Sequence, residues 1–112
     1  MSLILEIYEN TMLMMLSGFP ASGKTTFAEY RVKEVKGRWV RVNRDSLRDM
    51  LHSDIWTGLN EEMTVSIEKI IVAFALKSGR SVIVDDCNLN PKNKTLWKDF
   101  ARESGVSFEH KH

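Results

Sequence analysis

The chain of 112 residues is long enough for one compact core and too short for two ordinary domains, so we expect a single domain over residues 1–112. Its apolar fraction of 43% and charged fraction of 28% are typical of a soluble globular protein. No run approaches the roughly 20 apolar residues that span a bilayer, and a net charge of +1 gives no overall signal for nucleic acid.

The first eleven residues predict no export. Residues 1–11 lack a positively charged start and carry Glu6 and Glu9 among their apolar residues, which is a poor match to a signal peptide. They are compatible with an additional edge strand or with a loose arm. Cys87 is the only cysteine, which excludes an internal disulfide and suits a reducing compartment. We therefore expect a cytoplasmic protein without a membrane partner.

The first half of the chain alternates between strand and helix patterns. The continuous apolar run "TMLMMLSG" predicts a strand buried on both faces. Apolar residues after Lys24 recur at three- and four-residue spacing, which predicts an amphipathic helix that Gly37 ends. "RWVRVN" predicts a strand that stops at Asn43, and "RDSLRDMLH" a short helix after it.

The second half repeats this alternation. "TGLNEEMTVSIEKIIVAFALKSG" predicts a long helix with Asn60 as its N-cap and Gly79 as its stop. "SVIVDD" predicts a buried strand, and "NPKNKTLWKDFARESG" a helix that Asn90 caps and Gly105 ends. "VSFEHKH" is typical of a further strand. Strands alternating with helices indicate an α/β domain with a mainly parallel sheet.

A glycine-rich loop joins the first strand to the first helix. "GFPASGKT" satisfies the G-x-x-x-x-G-K-[ST] pattern, in which backbone N–H groups cradle phosphates at a helix N-terminus. Such a loop uses its lysine for the terminal phosphates and its hydroxyl for Mg²⁺, so we expect ATP and Mg²⁺ as ligands. Thr26 is either a further phosphate contact or an ordinary first-turn residue. The predicted contacts are Gly18, Ala21, Ser22, Gly23, Lys24, Thr25 and Thr26.

Polar residues follow the other two central strands, and the carboxyl ends of parallel strands face one crevice. Asp45 and Arg48 lie three residues apart on the short helix and share a face. A carboxylate there can accept the proton of an attacking hydroxyl, while a guanidinium can hold an acceptor phosphate. A local helical ion pair without a catalytic role is the alternative interpretation.

The third strand ends in two adjacent carboxylates. Asp85 or Asp86 occupies a position where nucleotide-binding enzymes place a carboxylate near Mg²⁺. A polar strand end that caps the next loop is the alternative, and Asn88 suits either role. Between Arg31 and Arg48 seven basic residues stand against two acidic ones, a local excess of +5 that indicates either a solvated helix face or a nucleic-acid contact.

Together these motifs resemble a known family. "GFPASGKTT", "VNRDSLRDML" and "VDDCNLNPKNKTLWKDFARESGVSFEHK", in this order and spacing, resemble the kinase domain of the phage polynucleotide kinase that phosphorylates 5′-hydroxyl ends in nucleic acid repair. The likeness runs from about Met12 to the end of the chain. It implies the three-layer α/β fold of P-loop NTPases, C-terminally short.

The resemblance also implies roles by position. It makes Lys24 and Thr25 the contacts to ATP and Mg²⁺, Asp45 the general base on the 5′-hydroxyl, and Arg48 the contact to the first phosphate of the nucleic acid. It selects Asp86 over Asp85 as an essential acceptor-site or metal-organising carboxylate, with Asn88 beside it at the acceptor. The basic residues between Arg31 and Arg48 would then line the path of the nucleic-acid strand, which predicts that nucleic-acid binding weakens as the salt concentration rises.

The chain departs from the family at two places. Ala21 stands where the family has a loop glycine, and nothing in the sequence matches the arginine of the family's C-terminal lid. The leading hypothesis is therefore ATP-dependent phosphoryl transfer to a 5′-hydroxyl of DNA or RNA. The alternatives are a kinase of a small alcohol such as a sugar or nucleoside, and a truncated nucleotide-binding domain without turnover. The terminal strand, as an exposed sheet edge, suggests a homodimer.

Overall fold

The computed structural model of the protein describes residues 11–18, 23–34, 38–86 and 90–111. Four parallel strands form one sheet in the order β2-β3-β1-β4. The strands are β1 (Met12–Leu16), β2 (Trp39–Val42), β3 (Ser81–Val84) and β4 (Ser107–Lys111). The helices are α1 (Lys24–Glu34), α2 (Arg44–His52), α3 (Gly58–Lys77) and α4 (Pro91–Ser104). This order confirms the predicted α/β fold with a parallel sheet.

The two central strands explain why the apolar runs are continuous. β3 is buried along its whole length, and so is β1 except for Met12. Helices cover both faces, so successive side chains must be apolar whichever way they point. On one face Leu13, Val82 and Val84 pack with α3 and α4 around the fully buried Trp97. On the other face, Met14 and Ile83 pack with α1.

Most predicted helix ends are confirmed, and one is wrong. Asn90 caps α4 through a bond that its side chain accepts from Lys92 N, and Gly105 ends that helix at φ +72°. The predicted N-cap of α3, Asn60, lies inside the helix. Thr57 is the cap, because its hydroxyl accepts the Asn60 N–H at 3.0 Å. A threonine followed by a glycine is a weaker sequence signal than an asparagine followed by two glutamates.

The carboxyl ends of all four strands lie at one edge of the sheet, where the described residues of the predicted site gather. The proposed extra strand or arm at the N-terminus falls outside the described residues, as do Gly37, Cys87 and Asn88. No helix in the described ranges is long and apolar enough to cross a membrane. β4 forms one edge of the sheet and pairs with β1.

Candidate active site at the carboxyl ends of the strands

The predicted phosphate loop leaves β1 and enters α1. Gly23 adopts φ +87° immediately before the first residue of the helix, and its carbonyl accepts the first helical hydrogen bond, from Phe27 N at 3.0 Å. A Cβ on Gly23 would meet no atom within 4 Å, so the conformation, not crowding, calls for glycine here. Thr26 is exposed in the first turn. Ala21 and Ser22, and the side chains of Lys24 and Thr25, lie outside the described part.

The start of the loop is held by β4. Ser17 N donates to Lys111 O at 2.9 Å, and Ser17 Oγ lies 2.6 Å from His110 Nε2. Lys111 places its ammonium 4.3 Å from the centre of the Phe27 ring on α1. The terminal strand therefore contacts both sides of the phosphate loop, although its alternating pattern alone predicted nothing more than an edge.

Asp45 and Arg48 meet as predicted, and a third residue joins them. Arg48 Nη1 donates to Asp45 Oδ1 at 2.7 Å on α2. Its Nε and Nη2 donate to the two carboxylate oxygens of Glu61 on α3, at 2.9 and 2.7 Å. Arg48 thus forms a forked pair with Glu61 and a single bond with Asp45. Of its five N–H groups, these contacts use three, and one on Nη1 and one on Nη2 take no part in them.

Asp85 has a different position from its neighbour. Its side chain is fully buried and pairs with Arg41 of β2 at 2.7 Å. Asn43 holds the same strand ends together, because its Oδ1 caps α2 by accepting from Ser46 N while its Nδ2 donates to Asp85 O. These contacts fix β2 against β3 directly below α2. Asp85 therefore joins the two strands.

Asp86 contacts the first residue of α2. Its Oδ1 accepts from Arg44 N at 2.7 Å, and its Oδ2 lies 3.5 Å from Arg44 Nε. Arg44 Nε also donates to Glu68 Oε1 at 2.7 Å, so Arg44 is a partner of both carboxyl groups. Burial, followed by the neighbouring Asp86 carboxyl group, raises the pKa of Glu68 to about 8. Asp86 is thus held among protein groups close to Asp45.

Ion pairing changes the predicted basic surface. Arg41, Arg44 and Arg48, which belong to the basic run of the sequence, are each paired with a carboxylate that lies elsewhere in the chain. Arg31 lies over the rings of Phe27 and Trp39, at 5.5 and 5.4 Å. Much of the sequence excess of positive charge is therefore neutralised in the fold.

The donor groups fit a nucleotide better than they fit a metal held by the protein alone. The first turn of α1, preceded by the left-handed Gly23, presents the N–H groups of a helix N-terminus in the way that phosphate requires. Within the described ranges, no three His, Cys, Asp or Glu side chains form a group that could hold a metal ion. Mg²⁺ in such a site would depend mainly on the oxygens of the bound phosphates.

Glu61 and Glu68 are the site residues that sequence reasoning missed. In the sequence, Glu61 is distinguished only by its position in the first turn of α3, where a carboxylate is favourable. Glu68 carries a signal that could have been used, because it lies four residues after Thr64 and four before Val72 on the buried face of α3. A glutamate at a core position predicts a buried partner.

Comparisons with known proteins agree with this geometry. A family described as an AAA domain matches residues 13–112. The bifunctional polynucleotide phosphatase/kinase of Schizosaccharomyces pombe is 32% identical over 95 residues, which cover 85% of this chain and 19% of that protein. A chain in the structure of the Pnkp1/Rnl/Hen1 complex is 31% identical, with a TM-score of 0.77 over 89% of this chain and 35% of that chain.

A more distant structure supports the fold alone. The APS kinase CysC of Mycobacterium tuberculosis, as its Cys556Ala mutant, aligns with a TM-score of 0.68 at 18% identity, over 91% of this chain and 74% of that chain. The chain described here spans about a fifth of the curated phosphatase/kinase and about a third of the chain in the complex. The similarity therefore concerns one domain-sized part of those proteins.

Proposed function

Because the chain belongs to the AAA domain family, we propose that it is a P-loop kinase domain that transfers the γ-phosphoryl group of ATP to the 5′-hydroxyl of a polynucleotide. The observation that carries the proposal is the cluster of Asp45, Arg48 and Glu61 at the edge of the sheet where the phosphate loop also lies. The S. pombe relative, which is named a polynucleotide phosphatase/kinase, supports a polynucleotide as the acceptor.

The donor half of the site is the N-terminus of α1. Lys24 and the N–H groups of the first turn bind the β- and γ-phosphates, with Gly18, Ala21, Ser22, Gly23 and Thr26 as further contacts of the loop. Thr25 would hold Mg²⁺, which neutralises charge on the phosphates when it is bound. Asp86 belongs to the acceptor half of the active site, because it accepts the backbone N–H of Arg44 at the start of α2 and lies beside Glu68. Asn88 would lie beside the acceptor.

The acceptor half is α2. Arg48 uses its two remaining N–H groups to hold the phosphate that follows the terminal nucleoside, which places the 5′-hydroxyl beside Asp45. Asp45 accepts the hydroxyl proton as the 5′-oxygen forms its bond to the γ-phosphorus. The bond from that phosphorus to the β,γ-bridging oxygen breaks in the same in-line step, and ADP leaves. The arrangement requires no covalent intermediate on the protein.

Transfer of label from γ-labelled ATP to a 5′-hydroxyl oligonucleotide tests the proposal. We expect transfer by the wild-type chain and a loss of about 100-fold or more in Asp45→Asn, which keeps the shape of the side chain but removes the base. Asp49→Asn is the matched control, because Asp49 is an exposed carboxylate on the same helix. Wild-type transfer no greater than that of Asp45→Asn contradicts the proposal.

The acceptor can be identified in the same assay. A nucleoside 3′-monophosphate carries the phosphate that Arg48 would hold, whereas a free nucleoside does not. Preference for the former, lost in Arg48→Gln, supports a polynucleotide acceptor, and equal use of both indicates a kinase of small alcohols. Nucleotide binding that Lys24→Ala abolishes, without transfer to any acceptor, indicates a binding domain without turnover.

A further inference from the structure

A buried glutamate on α3 lies behind the first turn of α2. Glu68 is fully buried on the inner face of α3, between Thr64 and Val72. A carboxyl group in such a position is costly unless it is hydrogen-bonded. Glu68 accepts a hydrogen bond from Arg44, which belongs to the acceptor half of the site together with Asp86.

The partner of Glu68 is the residue that begins α2. Arg44 Nε donates to Glu68 Oε1 at 2.7 Å, and the Arg44 side chain is only 15% exposed. Arg44 immediately precedes Asp45 and lies one helical turn before Arg48. A contact that fixes Arg44 therefore fixes the direction in which α2 begins.

The third residue is the carboxylate after β3. Asp86 accepts the backbone N–H of Arg44 at 2.7 Å, and its Oδ2 lies 3.5 Å from Arg44 Nε, the same atom that donates to Glu68. Glu68 and Asp86 thus meet at Arg44, and the three residues join α3, the start of α2 and the end of β3. We call these three residues the buried triad.

The buried triad differs from apolar packing in its effect on the structure, because it affects the placement of α2 more than the stability of the domain. A buried ion pair adds little stability over well-packed apolar residues of the same volume, and it is often less favourable. Hydrogen bonds, unlike apolar contacts, fix both distance and direction. The consequence we expect from the triad is therefore precise placement of α2 and not greater stability.

We propose that Glu68 is a positioning residue, which holds Arg44 and Asp86 together so that α2 presents Asp45 and Arg48 to the acceptor. This inference rests on the proposed kinase function for its kinetic consequence. The phosphate loop follows β1, whereas the hydrogen bond that the Glu68 side chain accepts comes from Arg44, at the start of α2. The effect of Glu68 should accordingly appear on the acceptor side and not in the binding of ATP.

Three variants of the full chain separate positioning from stability. Glu68→Gln keeps the bond from Arg44, because its amide oxygen can accept it, and its amide N–H can donate to the nearby carboxylate of Asp86. Glu68→Met removes this bond at similar volume and leaves the charge of Arg44 beside Asp86, whose Oδ2 lies 3.5 Å from Arg44 Nε. The double variant Arg44→Met/Glu68→Met also removes the guanidinium, while Asp86 can still accept the backbone N–H of residue 44. Val72→Ala, one turn along α3, is a destabilised control outside the buried triad.

The kinetic readout is kcat/KM for the acceptor together with KM for ATP. We expect Glu68→Gln to stay within about threefold of wild type, and the double variant to lose about 10- to 100-fold in acceptor kcat/KM with KM for ATP within about twofold. Val72→Ala should leave both nearly unchanged at a temperature where it is folded. A folded double variant with wild-type acceptor kcat/KM overturns the proposal, as does a Glu68→Gln variant that is equally impaired.

A second readout does not need activity. Hydrogen exchange of the Arg44 amide reports the bond to Asp86 directly, and we expect it to be about tenfold faster in Glu68→Met than in Val72→Ala. If the wild-type chain transfers no phosphate, the proposed function fails while this comparison still decides the role of Glu68. Equal exchange in the two variants overturns the positioning role.

Discussion

Arg48 is shared between two helices. Its bonds to Glu61 of α3 use one whole side of the guanidinium, and its bond to Asp45 stays within α2. Hydrogen bonding between Arg48 and Glu61 is the largest single cause of two shifts: it raises the pKa of Arg48 and lowers the pKa of Glu61. Both side chains are more than a quarter exposed, at 29% and 27%, so solvent weakens the pair and its main effect is on orientation.

Replacing Glu61 by glutamine tests this orientation. The amide leaves one oxygen to accept from Arg48 and places an N–H₂ group where the second oxygen was, so the fork is lost. We expect KM for the acceptor to rise by about fivefold, equivalent to about 1 kcal/mol, with KM for ATP unchanged. Glu62→Gln, at the exposed neighbouring position, is the control. Equal effects of the two variants would show that general charge, and not the fork, matters.

Glu68 should make stability depend on pH. Its pKa is raised from 4.5 to about 8 in the folded chain, so between these values the folded state keeps a proton that the unfolded state has lost. The stabilisation is complete below the unfolded pKa and is lost as pH rises through about 8. From pH 5.5 to 8.5 we expect urea unfolding to show a loss on the order of 1–3 kcal/mol that Glu68→Gln lacks. Parallel curves for the two proteins would contradict this.

At the level of elements, the connection from α2 to α3 has an unusual start. Ser53, the C-cap of α2, adopts φ 50° and ψ 38°, and Asp54 follows at φ 62°. Both are left-handed conformations that disfavour a side chain with a Cβ. The bond from Asp54 N to Arg48 O at 3.2 Å shows what the left-handed conformation of Ser53 provides, since it satisfies a carbonyl at the end of the helix.

Glycine should therefore be preferred at this cap. We expect Ser53→Gly to raise the free energy of unfolding by about 0.5–1 kcal/mol. The reciprocal change is Gly105→Ala at the C-cap of α4, where φ is +72° and a Cβ would meet open space, so only the conformational cost applies. It should lower stability by about 1 kcal/mol. Urea titrations with equal m-values measure both, and changes of the same sign would refute the assignment.

At the level of the whole molecule, stability depends on the layer between the sheet and the helices α3 and α4. Leu13, the second residue of β1, is fully buried between Val82 of β3 and Phe108 of β4 in register. Leu59, in contrast, is 80% exposed on α3. The two leucines differ in the apolar area that folding removes from water, and this area determines what each contributes.

Truncation of these two leucines should give very different results. We expect Leu13→Ala to cost about 2–5 kcal/mol, since it leaves a cavity in the core. Such a loss is a large part of the roughly 5–15 kcal/mol that stabilises a domain of this size. Leu59→Ala should change stability by less than about 0.5 kcal/mol. Comparable losses at both positions, measured by thermal unfolding, would show that Leu59 is buried in solution, for example in an assembly through α3.

Self-association and the extent of the domain stay predictions at this scale. Among the strands that the structure describes, β4 lies at an edge of the sheet, and an exposed edge is a recognised site for pairing with a second copy. The mass of the particle in solution tests this. The single domain over residues 1–112 likewise remains an expectation, and limited proteolysis would test it.

The sequence by itself determined the elements and their order. Continuous apolar runs predict strands covered on both faces, and the three- and four-residue spacing predicts the helices, because both signals depend on neighbours along the chain. The local cap signals gave Asn90 and Gly105 correctly. They failed at Thr57, where the hydroxyl–amide bond is equally local but the residue types are less distinctive. The Asp45–Arg48 pair was predictable for the same reason, since it lies within one helical turn.

The tertiary structure alone decided which distant charges meet. Glu61 faces Arg48 and Glu68 faces Arg44, across 13 and 24 residues of chain, and no periodicity encodes such pairs. The tertiary structure also pairs Asp85 with Arg41 and brings Asp86 to the start of α2. These contacts neutralise part of the positive charge that the sequence suggested was free. Charges interact through space, so their partners are known only after the sheet and helices have packed.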